Sequence, residues 1–473
     1  MREPLVVVSN RGPVAHRRAP DGSLDTVRGA GGLVAALVSL AEGHDVTWVA
    51  SAMNDADGEV ALAGPREVHS ESGAAIRLHL VAHDPEAYRL FYAVVANPVL
   101  WFVQHGLWAL KRNPHADLMP AWSHGYVSVN RALADAAVEE LDRRPAAPVL
   151  VQDYHLYLAP AMIRAERPHA RIAHFVHIPW VPPEAWEVLP RTLTVEIHEG
   201  LLACDSIGFH TDRWRAAFVE CCDVLLGRGE EAAARSHANP IAVDAEAYVR
   251  LAAEDGVRER KAALAAERPE ILVLRVDRTD PSKNAVRGFE AFGLLLERDA
   301  SLHGRVGLVA LLDPSRQSIP EYADYRDATE RAAAAVNARF GRPDWEPIRL
   351  DLRDDFLASV AAYTEYDVLL VNPVMDGLNL VAKEAPLVNE RDGALVLSRT
   401  AGAFEELGAW TVGVDPLDVP GQAAALARAI ALPELERRSM LESVRASVRA
   451  HDLDSWAERE LAELAERAPA PVA

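Results

Sequence analysis

Apolar runs in this chain repeatedly stop at residues able to hold an anion or a polyhydroxy ligand. LVVV (5–8) leads to Ser9-Asn10-Arg11, PVLV (148–151) to Gln152-Asp153-Tyr154-His155, and RIAHFV (171–176) to His177-Ile178-Pro179-Trp180. SIGF (206–209) leads to His210-Thr211, ILVLRV (271–276) to Asp277-Arg278-Thr279-Asp280, VGLVALL (306–312) to Asp313-Pro314-Ser315-Arg316, and DVLLV (367–371) to Asn372 through Gly377. Arg278 and Lys283 stand five positions apart in a chain of net charge −21. An arginine offers phosphate a planar fork and a lysine offers a mobile point charge, so the pair suits a phosphate-bearing ligand. The plainer alternative is a surface ion network with Asp277 and Asp280. Of 49 Lys plus Arg only Lys111, Lys261, Lys283 and Lys383 are lysines, and two of these fall in strand-end segments. Two further anion devices are GAGGL (29–33) and DGLNLVAKE (376–384), small-residue loops that open helical patterns and let backbone N–H groups approach a ligand. Glu384 is expected about two turns into its helix, as a ribose ligand or, more plainly, as an exposed helix glutamate.

These residues need rigid elements behind them. Most apolar runs are continuous rather than alternating, as strands buried on both faces require. Helical stretches at 130–142, 157–166, 286–298, 321–340 and 419–431 lie between them. Alternating strand and helix predicts an α/β fold with parallel sheets. Ligands of such sheets bind beyond the carboxyl ends of the strands, and one cleft between two doubly wound domains accounts for polar strand ends in both halves. Residues 227–268, poor in large apolar side chains, read as surface helix and linker. The expected domains are 1–240 and 241–455, with a C-terminal helix and tail over 456–473.

The totals exclude other classes. The 473 residues are 50% hydrophobic and 25% charged, with a pI near 5.3, ordinary for globular proteins. Acidity on this scale argues against nucleic acid or an anionic membrane as partner. Cys204, Cys221 and Cys222 form no CxxC, which points to a reducing cytoplasm rather than a disulfide framework. No signal-like or membrane-spanning apolar run occurs. His174 and His177 of HFVH face opposite sides of a strand and do not chelate one ion. His198-Glu199 begins HExxH but ends on Leu202, and neither GxSxG nor GxxxxGK[ST] is present.

The ordered set VVVSNRGPV, GAGGL, VQDYHL, HFVHIPW, DRTDPSKN, DPSR and DGLNLVAKE resembles the trehalose-6-phosphate synthase family, glycosyltransferase family 20, from about residue 5 to 460. The resemblance implies a GT-B architecture, two Rossmann-like domains facing across a cleft. It implies transfer of glucose, with retention, from a nucleotide diphosphate glucose to glucose 6-phosphate, without a metal ion or other cofactor. Matched position by position, Arg278 and Lys283 grip the donor diphosphate with Gly32 beside them. Asp376, Gly377, Leu378, Asn379 and Leu380 hold donor glucose and phosphate, and Glu384 holds ribose. His177 faces the donor sugar and Asp153 the acceptor sugar. Arg11, Tyr92, Trp101 and Arg316 match acceptor-side residues, with Arg11, Tyr92 and Arg316 near its phosphate. A homo-oligomer is allowed but not specified.

Departures from the family pattern are Thr279, Pro281 and Asn284, where the family commonly has Leu, Tyr and often Gly, and Ser51, where it usually has Trp. With EAPLVNERD (384–392) they also resemble a pseudo-glycosyltransferase that joins cyclitol units through nitrogen. GAGGL, Tyr92 and DGLNLVAKE favour the ordinary synthase. A catalytically silent sugar-phosphate sensor is the reading from a different class. The donor base stays open among uridine, guanosine and adenosine.

Overall fold

The structure, a computed structural model, describes residues 2–19, 21–28, 32–70, 73–111 and 118–467. Contacts divide the chain into two units, Met1–Ile241 with Leu453–Ala473, and Ala242–Asp452.

The first unit is built on eight strands. In chain order they and a small hairpin are β1 (Glu3–Ser9), β2 (Val14–Arg18), β3 (Leu24–Arg28), β4 (His44–Ser51), β5 (Arg66–His69), β6 (Ala75–Val81), β7 (Val149–Gln152), β8 (Ile172–Val176), β9 (Ser206–Phe209) and β10 (Ser236–Ala238). The sheet order is β10-β9-β8-β7-β1-β4-β6-β5, with β2 and β3 paired apart from it. All neighbours in the large sheet are parallel except β5 and β6. Leu5, Val6, Val7 and Val8 have no exposed surface, as a strand covered on both faces demands. Strand order reverses between β1 and β7, so the loops after these two strands flank the crevice where such sheets bind ligands.

The second unit repeats the scheme with β11 (Ile271–Arg278), β12 (Val306–Asp313), β13 (Ile348–Asp351), β14 (Val368–Val371), β15 (Ala394–Ser398) and β16 (Val412–Val414). The order β13-β12-β11-β14-β15-β16 is parallel throughout and reverses between β11 and β14. The α/β doubly wound architecture expected from the continuous apolar runs is the one found.

Three expectations need correction. Residues 227–268 are more than surface helix and linker. They supply β10 at the sheet edge, and the helices Ala245–Ala252 and Asp255–Glu267 carry Tyr248 and fully buried Val257 against Val360 and Ala361 of the second unit. The C-terminal helix, Leu453–Arg467, is part of the first unit. Trp456 Nε1 donates to the Asn239 carbonyl (3.2 Å), Asn239 Nδ2 to the Trp456 carbonyl (3.1 Å), and His237 Nε2 lies 2.9 Å from Glu460. The strands β2, β3, β5, β6, β10, β13 and β16 are absent from the sequence reading. They are short, polar or alternating, as AIRLHLV shows with every second residue buried.

Residues 85–110 and 118–143 of the first unit are mostly helical, with wide π-type turns over Leu90–Leu100 and Trp122–Val127. Pro98 lies inside the first of these and donates no N–H, and Asn97 turns its side-chain amide back onto the Tyr92 carbonyl (2.9 Å). That irregularity fixes Tyr92. Among the described residues no helix is long and apolar enough to cross a membrane.

Candidate functional site

In the second unit the residues expected to meet a ligand gather at the strand reversal. β11 ends at Arg278, whose half-exposed guanidinium lies 3.9 Å from Asp280. Asp280 caps the following turn by accepting from Ser282 N and Oγ (both 2.9 Å), and it accepts from Arg316 Nη1 (3.1 Å). Arg316 has φ +51° and also donates to the Tyr322 hydroxyl (2.7 Å). The turn Pro281–Lys283 then runs into Asn284 at φ +64°. Asparagine tolerates this left-handed conformation better than other side-chain-bearing residues, which accounts for its standing where the family often has glycine. Its Nδ2 donates to the carbonyls of Asn372 (3.0 Å) and Pro416 (2.8 Å), tying the turn to the end of β14.

Behind the turn lies Arg275, fully buried, which the sequence reading did not single out. Its guanidinium is 2.9 Å from Asp277 and donates to Asn372 Oδ1 and to the Lys283 carbonyl. A buried arginine with all these partners braces the ends of β11 and β14 against each other. Asn372 is 97 positions away in sequence, so spacing gives no sign of it.

Lys283 Nζ meets Asp376 Oδ2 at 2.5 Å, both side chains largely buried. The same oxygen accepts from Asn379 Nδ2 (3.1 Å). Asn379 sits at φ +80°, and its Oδ1 accepts from Ala382 N (3.2 Å) at the start of helix Val381–Val388. Buried Leu378 and the rest of this loop are stitched to the next one: Gly402 N donates to the Asp376 carbonyl (3.1 Å) and Ala403 N to that of Leu378 (2.8 Å). The Leu380 carbonyl accepts from Lys383 N and Glu384 N (both 2.8 Å). A Cβ on Gly402 would collide with the Gly377 carbonyl. Gly402→Ala is therefore expected to cost about 1–3 kcal/mol and to raise the donor KM, checked by thermal melts and kinetics; a variant unchanged on both counts would show that the loop yields freely.

Two expectations shift here. Lys383 is buried and paired with Glu406 (2.7 Å), so it braces the fold rather than presenting a cation. Glu384 lies in the first turn of its helix rather than two turns in, and it is not an exposed glutamate. It accepts hydrogen bonds from Tyr248 and Tyr363, and burial pushes its carboxyl up to about 7 against the opposing effect of those two hydroxyls. Neither tyrosine carried a sequence signal; they come from helices far from Glu384 in the chain.

In the first unit the reversal between β1 and β7 places Arg11 after one strand and Asp153 after the other. Asp153 has φ +71°, a backbone strain that clusters at functional positions. Its carboxylate accepts from His177 N (3.3 Å) and lies 3.8 Å from His155 Nδ1. The His177 ring bonds the Gln152 side chain (2.9 Å) and packs on Phe175 and His210, and burial holds it well below the usual histidine range, hence neutral. Tyr92 stacks on His155, and buried Trp101 stacks on His105 at 4.0 Å. Arg11 is exposed. Gly32 is the first residue of the helix Gly32–Gly43, while residues 29–31 of the GAGGL loop lie outside the described residues. Among the described residues no group of three or more His, Cys, Asp or Glu is arranged to hold a metal ion.

The model of glycosyltransferase family 20 matches residues 3–466. A validamine 7-phosphate valienyltransferase of Streptomyces hygroscopicus subsp. jinggangensis is 32% identical over 438 residues, covering 89% of this chain and 86% of that one. A trehalose-6-phosphate synthase of Mycolicibacterium gilvum is 34% identical over 494 residues, covering 98% and 94%. The solved structure of a UDP-forming α,α-trehalose-phosphate synthase from Burkholderia xenovorans, in complex with glucose-6-phosphate, superposes with a TM-score of 0.81 at 27% identity, covering 98% of this chain and all of that one.

Proposed function

Since the chain belongs to glycosyltransferase family 20, we propose that it moves glucose, with retention, from a nucleotide diphosphate glucose to glucose 6-phosphate and releases α,α-trehalose 6-phosphate. The observation that carries this reading is the braced cation pair at the end of β11. Arg278 lies half-exposed, and Lys283 sits in a turn fixed by Arg275 and Asp280. Cleavage of the glycosidic C–O bond places growing charge on the departing diphosphate. Arg278, Lys283 and the N–H groups of the Asp376–Leu380 loop stabilise that charge where it develops. The acceptor hydroxyl attacks from the leaving group's side, and the departing phosphate oxygen takes its proton, so no separate base is needed. Asp153 and neutral His177 orient the sugars; Arg11, Tyr92, Trp101 and Arg316 receive the acceptor. These cations do the work that a divalent metal performs in many transferases. The three cysteines are free and buried, and burial pushes their thiols up, which fits work in a reducing cytoplasm.

The test is turnover of glucose 6-phosphate with UDP-, GDP- and ADP-glucose in separate reactions, following nucleotide diphosphate and phosphorylated disaccharide. Product with at least one donor is expected, at a rate that EDTA leaves unchanged. Loss of activity in EDTA, restored by a divalent ion, would refute the metal-free mechanism. The second reading is coupling of a nucleotide cyclitol to an amino-cyclitol phosphate. It is favoured by the valienyltransferase relative and by Ser51. A folded protein silent with all three glucose donors yet active on a cyclitol pair would establish it. Binding without turnover of any pair would establish the sugar-phosphate sensor.

A further inference from the structure

Asn10, directly before Arg11 at the end of β1, is only 4% exposed, and its Nδ2 has no hydrogen-bond partner among the described residues. A buried amide donor left unpaired costs about 1–3 kcal/mol, which an acceptor oxygen brought by a ligand would offset. The rest of Asn10 is fixed. Its carbonyl accepts from Ser51 N (3.2 Å), and its Oδ1 accepts from the Tyr88 hydroxyl (3.3 Å). Tyr88 stands in a row of four nearly parallel rings. His83 and Tyr88 are 5.5 Å apart at 12°, Tyr88 and Tyr92 5.9 Å apart at 9°, and Tyr92 and His155 6.1 Å apart at 13°. At the far end His83 Nε2 meets Ser51 Oγ at 3.0 Å. Burial lowers His83 to about 4, so this end of the row is uncharged at neutral pH. Asn10 thus has its carbonyl held by Ser51, its side-chain oxygen held by Tyr88 of the ring row, and one unpaired donor, directly before Arg11 in the chain.

We propose that Asn10 is a further acceptor-binding residue, its Nδ2 donating to a phosphate oxygen of the phosphorylated six-membered polyol, and that Tyr88 is a positioning residue which holds the amide in that orientation. The inference rests on the acceptor reading of Arg11 and Tyr92. It adds a neutral donor beside Arg11 and Tyr92 of the same unit. It also gives the Ser51 departure a consequence: Ser51, where the family usually has tryptophan, bonds His83, and His83 stacks on the Tyr88 ring whose hydroxyl meets Asn10.

Titration calorimetry of the whole chain with glucose 6-phosphate and with inorganic phosphate, alongside steady-state kinetics, tests it. Asn10→Ala is expected to weaken both phosphates and to raise the acceptor KM about tenfold or more. The donor KM should stay within about twofold; loss of the unpaired donor and loss of the partner of the Tyr88 hydroxyl act on stability in opposite directions, so the phosphate affinities and the acceptor KM are the readout. Tyr88→Phe keeps the ring row and should raise the acceptor KM about three- to tenfold without lowering kcat. An Asn10→Ala protein that melts early but binds phosphate like the wild type would reveal a merely structural amide and overturn the inference. Should that variant not fold, an unchanged acceptor KM in Tyr88→Phe would do the same. A wild-type protein that binds neither phosphate overturns the inference together with the acceptor half of the proposed function. Wild-type binding with an indifferent Asn10→Ala overturns the inference alone.

Discussion

Replacing Lys283 by alanine is expected to lower turnover about 10²–10³-fold, the usual loss when one preorganised group leaves a developing anion. The geometry adds a complication that sequence does not show. Lys283 is paired at 2.5 Å with Asp376, and both side chains are largely buried. Removing one partner of such a pair leaves an uncompensated carboxylate, at about 3–5 kcal/mol when burial is complete. Lys283→Ala alone should therefore lose stability as well as activity. The informative protein is Lys283→Met with Asp376→Asn, which removes both charges and keeps the volume. Its melting temperature should return toward the wild-type value while turnover stays low. Recovery of turnover with recovery of stability would show that Lys283 braces the loop and does not act on the diphosphate.

Glu384→Gln is expected to separate binding from stability in opposite directions. Burial raises the Glu384 carboxyl from 4.5 to about 7, so the folded protein favours the protonated form. The stabilisation linked to that proton is complete below the unfolded value of 4.5 and is lost as pH rises through about 7. At pH 8 the wild type therefore holds a charge its surroundings disfavour, by about 1–3 kcal/mol. Glutamine carries no charge, so the variant should melt later than the wild type at pH 8, and the difference should vanish near pH 5. Ribose hydroxyls, in contrast, bind an ionised carboxylate best. The donor KM of the wild type should fall as pH rises from about 6 to 8, whereas that of Glu384→Gln should sit about tenfold or more higher and stay flat. A variant no more stable at pH 8 than at pH 5, relative to wild type, would sink the titration; a donor KM unchanged by the substitution would sink the ribose contact.

Much of this is legible in the sequence, for a physical reason. Strands buried on both faces read as unbroken apolar runs, and ILVLRV became β11 with the residues after it at the sheet reversal. The helix expected over 419–431 is the helix Val419–Ala431. The edge strand β5 buries too little to leave a pattern, and β10 is buried but only three residues long with Ser236 and His237 in it. The candidate site was legible where it lies at strand ends, and Asn10 was already in that set. It was illegible where a residue works from behind. Arg275 sits inside an apolar run and shows its purpose only through Asn372 and the Lys283 carbonyl. Lys383 misled because scarcity of lysine says nothing about burial, and its partner Glu406 lies on another helix.

The helix Leu453–Arg467 completes the first unit after the whole of the second has intervened. During synthesis the ribosome therefore delivers β8, β9 and β10 long before their last cover. Until that helix emerges, Phe175 lacks the Trp456 ring that packs edge-on against it at 5.3 Å, and His237 and Asn239 lack Glu460. The nascent first unit must wait, with an apolar and polar seam open, while the second unit is made and folds as its own contiguous segment. Order of synthesis and order of completion are thus reversed: the half of the protein begun first is finished last.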